Sequence, residues 1–205
     1  MPYSGRPSYA PIFWGTFLLW MILELIASRT KQSGDRSHAR DRGSYGLIVA
    51  LLFVGLTLDF TLSARLPQAA IVWRPSLVFF SGIGLMLAGV AFRWWAIATL
   101  GKFFTFDVAV QSSQTVIDSG PYRYIRHPSY TGALMTQLGI GLALRNWAGL
   151  LALMVCMAIA YSYRMTVEER ALLAALGEPY KQYMLRTRRL IPFLLPWLSR
   201  TKSKR

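Results

Sequence analysis

Five long apolar windows dominate the pattern of hydrophobic and polar positions along the chain. They cover residues 11–28, 46–64, 76–92, 129–144 and 147–163. As helices at 1.5 Å per residue they would measure about 24–28 Å, slightly less than the roughly 30 Å hydrocarbon core of a bilayer, so flanking residues must extend them. The third continues most naturally through Trp94 and Trp95. The pattern predicts an all-α integral membrane protein with five transmembrane helices.

Three residues inside these windows need separate interpretation. Glu24 and Asp59 lie near the ends of the first two windows, which favours placement at the membrane interface, although ionisable residues inside spans are often functional. A signal peptide is the alternative for the first window, but Glu24 and the lack of a small-x-small cleavage site favour a spanning helix. Cys156, the single cysteine, is expected to be a packed or lipid-facing apolar side chain.

The placement of the positive charges separates a membrane protein from a nucleic-acid-binding one. The net charge is +14, from 23 Lys and Arg against 9 Asp and Glu. With the N-terminus outside, 19 of these cations lie in cytosolic segments and 4 (Arg6, Arg65, Arg74 and Arg145) lie outside. This asymmetry follows the positive-inside rule and predicts an N-out, C-in topology. Basic residues beside spans also meet anionic lipid headgroups, so nucleic acid is not needed to explain them.

The segments between the windows divide the chain into two regions. Residues 1–100 hold three spans and a basic cytosolic loop at 29–45, and a short outer turn covers 65–75. Residues 101–205 hold a tight antiparallel helical hairpin, 129–163, because little more than Arg145 and Asn146 separates its two helices. Cytosolic C-terminal helices follow it.

Small residues spaced by four predict close helix packing. Gly84 and Ala88 lie in the third window, and Gly139 and Ala143 lie in the fourth. Such pairs let helix backbones approach each other in a membrane.

The C-terminal region predicts a longer helix and a short one. "RMTVEERALLAALG" continues the fifth helix into the cytosol, and Gly177 is placed to follow its last residue. Pro179 then begins a second helix, 179–189. The proline-broken segment 190–198 is too short to span and is expected to lie in the interface.

Three unusually polar stretches are predicted to meet on the cytosolic face. They are residues 103–132, the pair Arg164 and Glu168, and "GEPYKQY" at 177–183. In a tight hairpin, the start of the fourth span and the end of the fifth emerge side by side. The three stretches therefore predict one pocket.

Within these stretches, "RHPSYTG" at 126–132 and "EERALLAALGEPYKQY" at 168–183 carry a resemblance. Together they resemble the C-terminal signature of the isoprenylcysteine carboxyl methyltransferases, with the phospholipid N-methyltransferases as relatives. The resemblance covers roughly residues 103–193. It implies a membrane methyltransferase that uses S-adenosyl-L-methionine, held between the last two spans and the C-terminal helices.

The resemblance also implies which residues hold the cofactor and the substrate. Arg164 matches an arginine attributed to substrate, and it is the candidate catalytic residue. The implied cofactor-binding residues are Gln111, Gln114, Thr115, Val116, Ile117, Tyr122, His127, Pro128, Ser129, Tyr130 and Glu168. No metal ligand is implied.

The chemistry of the cofactor agrees with these residue types. Glu168 would pair with the ammonium group, and His127, Arg126 or amides at the start of the fourth span would meet the carboxylate, since helix N-termini bind anions. Tyr122 and Tyr130 offer faces to the adenine or the sulfonium, a contact worth roughly 0.5–2 kcal/mol. Arg164 and Glu168 stand four residues apart and face one side of a helix.

Simpler explanations exist for each residue taken singly. Arg126 and His127 could be interfacial residues before a span, and the tyrosines an aromatic belt. Arg164 and Glu168 could form a solvated helical ion pair worth about 0.3–0.5 kcal/mol. Glu169 is expected to be a surface partner.

The favoured function is methylation of a prenylcysteine carboxylate, with the lipid bilayer and a lipidated acceptor as partners and the site on the cytosolic side. Such a carboxylate is already ionised at pH 7 and needs positioning and desolvation more than a base. A lipid amine would need a base, for which His127 or Glu169 could serve. The alternatives are methylation of phospholipids or other small lipids and, more distantly, a non-catalytic transporter or assembly subunit.

Overall fold

The protein is described by a computed structural model that covers residues 9–30, 43–104 and 115–191. Six α-helices form within these ranges: α1 (Tyr9–Thr30), α2 (Gly43–Arg65), α3 (Pro75–Leu100), α4 (Pro128–Leu144), α5 (Trp147–Leu176) and α6 (Glu178–Arg186). The predicted all-α fold is confirmed. The predicted basic loop and the segment 190–198 lie largely outside the described residues.

Four of the helices, α1, α2, α3 and α5, are long and apolar enough to cross a membrane. The fourth window forms α4, which has 17 residues and is the most enclosed helix, between α3 and α5. At 1.5 Å per residue α4 measures about 25 Å. The described helices thus include four candidate spans, and the fifth span stays a prediction.

The predicted hairpin of α4 and α5 is confirmed, and its turn is only two residues long. Arg145 takes the left-handed conformation, with φ of 57°, and ends α4. The Asn146 side chain then caps α5 by accepting from the Gly149 amide at 3.1 Å. Asn146 also donates to the Leu66 carbonyl at 2.8 Å, which ties the hairpin turn to the end of α2. One asparagine therefore begins α5 and positions α2 beside it.

Close packing of α3 on α4 confirms one of the two predicted small-residue pairs. A Cβ at Gly139 would lie 2.6 Å from the Gly82 carbonyl oxygen, and one at Gly132 would lie 2.6 Å from the Arg93 amide nitrogen. Ala143 belongs to the same contact. The assignment of Gly84 and Ala88 is wrong, because both are exposed. Gly82 and Gly89, seven residues apart, face α4 instead, since seven residues are close to two helical turns.

Aromatic side chains in the N-terminal half of α1 pack against α2 and α3. Tyr9 stacks on Phe79 of α3 with ring centroids 4.7 Å apart, and its hydroxyl donates to Ser76 at 2.7 Å. Trp14 stacks on Phe60 of α2 at 5.6 Å. Toward its C-terminal end, α1 instead lines a cavity.

The two acidic residues within the first windows both have protein neighbours that the sequence did not reveal. Glu24 accepts two hydrogen bonds from Arg93 of α3, at 2.6 and 3.0 Å. Asp59 is fully buried between α2 and α5, where Ser63 donates to it at 3.4 Å and Gly149 leaves room for it. Their depth in a bilayer stays a prediction. Cys156 is half-buried and packs against α2, as expected for an apolar side chain.

The C-terminal helices follow the predicted pattern closely. α5 has 30 residues, about 45 Å, so it extends well beyond a hydrocarbon core of roughly 30 Å. Gly177 follows it with φ of 61°, a conformation that favours glycine. α6 begins at Glu178, one residue before the predicted Pro179, and ends at Arg186 rather than 189.

Candidate active site

A cavity of about 480 Å³ lies where α4, α5 and α6 meet α1, α2 and α3. Its walls differ in chemistry. One side carries the charged and aromatic residues Arg164, Glu168, His127, Tyr130, Tyr122 and Tyr180. The other side is mostly apolar and is formed by α1 and α2, through residues that include Trp20, Met21, Leu25, Ile48, Val49 and Leu52.

Glu168 is the acidic residue of the charged side. Its Oε2 accepts a hydrogen bond from the Tyr130 hydroxyl at 2.8 Å, and His127 Nδ1 lies 3.8 Å away. The side chain keeps 30% exposure, so its carboxylate is open to the cavity. A carboxylate in this position is suited to bind a cationic group.

Arg164 lies one turn before Glu168 on α5 and is buried. Its Nε donates to the Tyr130 hydroxyl at 3.2 Å, and its Nη1 donates to Ser44 at the start of α2. Arg164 and Glu168 do not form the direct ion pair considered from the sequence. They are bridged by the Tyr130 hydroxyl, which accepts from Arg164 and donates to Glu168. Ser44 and Tyr130 hold the guanidinium against the cavity wall.

Glu169 is not a surface residue, and that prediction is wrong. Its carboxylate is 5% exposed and accepts from Arg126 at 2.9 Å, Arg189 at 2.6 Å and the ring of His127 at 3.1 Å. Adjacent residues on a helix point about 100° apart, so Glu168 faces the cavity while Glu169 faces the loop behind it. Glu169 therefore supports the site rather than lining it.

The loop before α4 is also fixed through its backbone. The Arg126 and His127 amides donate to the carbonyls of Arg188 and Arg189 at 2.6 and 3.0 Å, and the Arg188 amide donates back to Tyr124 at 3.1 Å. The Arg126 guanidinium donates to the carbonyl of Thr187 at 2.6 Å. Residues 187–189, which follow α6, therefore fix the position of the "RHPSY" loop, the segment 126–130 that leads into α4 and forms its first residues. Arg126 has a structural role there, and its side chain also lines the cavity.

The groups around Glu169 lower the pKa of its carboxyl group. Burial by itself would raise the pKa, but hydrogen bonds from His127, Arg189 and Arg126 lower the pKa of Glu169 from its ordinary 4.5 to about 2. Glu169 therefore remains ionised at neutral pH and is unsuited to act as a general base.

Aromatic rings form the rest of the polar wall. The His127, Tyr130 and Tyr161 rings stack in series, with centroids 5.5 and 5.2 Å apart. The Tyr183 hydroxyl donates to the Tyr122 carbonyl at 2.7 Å, which joins α6 to the loop. Burial, and then the charge of Glu168, raise the pKa of Tyr122, so its phenol stays neutral.

The structure brings together most residues singled out from the sequence. Among the residues singled out, those that line the cavity are Thr115, Val116, Ile117, Tyr122, Arg126, His127, Ser129, Tyr130, Arg164 and Glu168. Pro128 is buried behind them and begins α4 instead of lining the cavity. Gln111 and Gln114 lie outside the described residues.

Several residues at the site were not predicted from the sequence, and some of them come from the first two predicted spans, which carry no recognisable motif. Ser44 orients Arg164, and Arg93 crosses from α3 to Glu24 while donating to the Ser129 carbonyl at 3.1 Å. Gln137 and Tyr161 line the cavity within the fourth and fifth windows. Gln137 could have been singled out from the sequence, because it is a polar amide inside an apolar window.

The chain is similar in sequence to several known proteins. The isoprenylcysteine carboxyl methyltransferase (ICMT) family matches residues 82–174, so its match begins within α3, earlier than the resemblance at 103–193, and ends before α6. A protein-S-isoprenylcysteine O-methyltransferase of Schizosaccharomyces pombe is 29% identical over 152 residues, which is 73% of this chain and 64% of the relative. A probable protein-S-isoprenylcysteine O-methyltransferase of Oryza sativa subsp. indica is 26% identical over 72% of this chain and 80% of that protein.

A solved structure has the same fold. The structure of the eukaryotic intramembrane Ras methyltransferase ICMT superposes with a TM-score of 0.60 at 23% identity, covering 90% of this chain and 68% of that one. The predicted resemblance to the isoprenylcysteine carboxyl methyltransferase family is therefore confirmed, together with its helical membrane-protein fold.

Proposed function

We propose that this protein, a relative of the isoprenylcysteine carboxyl methyltransferases, is a multi-pass membrane enzyme that transfers a methyl group from S-adenosylmethionine to the carboxylate of a prenylated cysteine. The observation that carries the proposal is the two-sided cavity. Charged and aromatic residues of α4, α5 and α6 face an apolar wall from α1 and α2 across one space. This arrangement suits a charged cofactor and a lipidated acceptor that must meet.

The residues of the charged side fit the chemistry of S-adenosylmethionine. Glu168 offers a carboxylate to an ammonium group, and Arg126 and His127, which line the same cavity, would meet the carboxylate of the cofactor. Tyr122 and Tyr130 provide faces for an adenine or a sulfonium cation. The cavity volume of about 480 Å³ lies within the range of small-molecule sites.

The proposed reaction needs positioned groups rather than an acid or a base. When bound, S-adenosylmethionine supplies an electrophilic methyl carbon on a sulfonium sulfur. The methyl group would pass to an acceptor carboxylate that is already ionised, so residues of this chain would have no proton to move. Arg164 would orient the carboxylate with its planar set of donors. The surrounding apolar wall would exclude water and leave the anion poorly solvated.

The apolar wall favours a lipidated acceptor over a soluble one. Its residues project from the C-terminal half of α1 and the N-terminal half of α2. A hydrocarbon chain lying there would bury apolar surface at about 25 cal/mol per Å².

The decisive experiment supplies the full chain in lipid nanodiscs with methyl-labelled S-adenosylmethionine and a panel of acceptors. N-acetyl-S-farnesylcysteine, phosphatidylethanolamine and a prenylated quinone-like phenol represent the three acceptor classes. We expect label in the farnesylcysteine as a methyl ester, which alkali releases as methanol. Alkali-stable label in phosphatidylethanolamine would instead assign the protein to phospholipid N-methylation.

Glu168→Gln is expected to weaken cofactor binding without unfolding the protein. Loss of one charge-assisted contact costs on the order of 1.5–3 kcal/mol, or about 10- to 150-fold in affinity. Calorimetry with S-adenosylmethionine measures the change. Glu178→Gln is the matched control, because Glu178 is exposed on α6 and, within the part of the chain that the structure describes, pairs with Lys181 and Gln182 of the same helix. Equal affinities in the two variants would remove Glu168 from the cofactor site.

The proposed topology places the site on the cytosolic side, with the N-terminus outside. It rests on the 19-to-4 distribution of Lys and Arg between the two sides. A fluorescent protein that folds only in the cytosol, fused after Arg205, should be bright, and alkaline phosphatase fused there should be inactive. The opposite pair of results would invert the topology.

A further inference from the structure

The cavity ends inside the helix bundle, and the residues at which its lining stops are called its floor. The floor consists of Trp20 of α1, Leu52 of α2, Gln137 of α4 and Tyr161 of α5. One turn further along each helix, the side chain belongs to the packed core and does not line the cavity. These core residues are Phe17, Leu56, Ile140 and Met157. The cavity is therefore closed on the side that faces the core.

Trp20 is the largest side chain of the floor, and aromatic rings fill the space behind it. The indole is 6% exposed and packs edge-on against Phe17, with ring centroids 5.3 Å apart. The Phe17 ring lies 5.8 Å from that of Phe13 and 5.9 Å from that of Phe60 on α2. Trp20 is thus the cavity-facing end of an aromatic cluster that joins α1 to α2.

The distance from the proposed carboxylate site to the floor limits the length of a bound lipid chain. Arg164 donates to Ser44, which places its guanidinium at the level of the first turn of α2. Leu52 follows Ser44 by eight residues, a rise of about 12 Å along the helix. With C–C bonds of about 1.5 Å, a trans hydrocarbon chain advances about 1.3 Å per bond, so one isoprene unit adds about 5 Å.

These lengths leave room for a prenyl chain of limited size. Three isoprene units measure about 15 Å when extended, so such a chain must cross the cavity obliquely or bend in order to end above Trp20. A fourth unit adds about 5 Å, and the aromatic cluster behind Trp20 occupies the space that it would need. Overfilling a well-packed apolar site is destabilising, so the floor should exclude the longer chain.

We infer that Trp20 sets the longest prenyl chain that the cavity accepts, and that this limit lies at about three isoprene units. The inference rests on the proposed function and adds to it a residue that determines specificity. Leu52 belongs to the same floor, but its side chain is smaller and is not part of the aromatic cluster. The limit therefore depends on the indole.

Three acceptors that differ only in chain length test the inference. N-acetyl-S-geranylcysteine, N-acetyl-S-farnesylcysteine and N-acetyl-S-geranylgeranylcysteine share one head group and carry two, three and four isoprene units. With the full chain in nanodiscs, we expect kcat/KM for the farnesyl acceptor to exceed that for the geranylgeranyl acceptor by about 10-fold or more. Trp20→Ala should bring these two acceptors to within about twofold of each other and should change the geranyl acceptor little. An unchanged ratio in Trp20→Ala would overturn the inference.

Trp14→Ala is the matched control for this substitution. Trp14 belongs to the same helix and stacks on Phe60 at 5.6 Å, but it does not line the cavity. It should keep the wild-type preference for the farnesyl acceptor. A shift as large as that of Trp20→Ala would show that the packing of α1, and not the indole, sets the limit. Trp20→Leu opens less space, so it decides the question where Trp20→Ala lowers the thermal stability, and it should shift the ratio in the same direction.

A binding measurement separates this inference from the proposed reaction. Geraniol, farnesol and geranylgeraniol have the same chain lengths and no carboxylate, and each is titrated into protein loaded with S-adenosylhomocysteine, with binding to empty nanodiscs subtracted. Weaker binding of the longest alcohol that Trp20→Ala restores, without methyl transfer to any acceptor, would support the limit and contradict the proposed reaction. Methyl transfer with the same chain-length profile in wild type and Trp20→Ala would support the reaction and overturn the inference.

Discussion

Arg164→Ala should nearly abolish methyl transfer while leaving most of the affinity for S-adenosylmethionine. The guanidinium lies between Ser44 and Tyr130 on the cavity wall, so its removal leaves an acceptor carboxylate without its orienting partner. Small misplacements of reacting groups reduce rates by roughly 100-fold, and we expect a fall in kcat of at least that order. Arg164→Lys should recover little of the activity, because an ammonium group cannot reproduce a planar, two-pronged contact.

The measurement pairs turnover with cofactor affinity in the same preparations. Arg170→Ala is the matched control, since Arg170 is an exposed arginine on the same helix. Tyr130 links Arg164 to Glu168, so a modest loss of cofactor affinity is expected in Arg164→Ala. A loss as large as that of Glu168→Gln would show that Arg164, Tyr130 and Glu168 act as one unit, and the separate roles proposed for them would be incorrect.

The sequence predicted the parts of the fold that local pattern and short connections determine. A two-residue gap allows only an antiparallel hairpin of α4 and α5, and Gly177 ends α5 because its φ of 61° suits glycine. The polar "RHPSYTG" and "EERALLAALGEPYKQY" stretches lie at the ends of adjacent helices. Their convergence on one cavity therefore followed from the hairpin.

The rotation of the helices and the long-range side-chain contacts of the site could not be predicted, because they depend on segments that are far apart in the sequence. Gly84 and Gly82 are equally small, and only the rotation of α3 decides that Gly82 meets Gly139. Ser44 reaches Arg164 across 120 positions, so no local pattern connects them. The composition of the first two spans is that of any apolar helix, although these spans supply the apolar wall of the cavity.

Glu168 and Glu169 offer a sharp comparison, because adjacent glutamates have opposite roles. Glu168→Gln should change binding and leave stability nearly unaltered. Glu169→Gln removes the carboxylate that Arg126, His127 and Arg189 share. Breaking a buried ion pair from one side costs about 3–5 kcal/mol, which corresponds to a decrease in Tm of roughly 6–20 °C for a protein of this size. Cofactor affinity should fall as well, because the "RHPSY" loop loses its support.

The dependence of this effect on pH identifies the carboxylate as its source. The pKa of Glu169 is lowered from 4.5 to about 2, so its contribution is complete above pH 4.5 and is lost as the pH falls toward 2. The difference in Tm between wild type and Glu169→Gln in detergent should therefore be constant from about pH 5 to neutrality and should shrink below pH 4.5. Glu168→Gln serves as the control at each pH. Neutral glutamic acid and glutamine are nearly the same size, so the Tm difference should disappear once Glu169 is protonated. A difference that persists unchanged into strong acid would show that the ionised carboxylate is not its source.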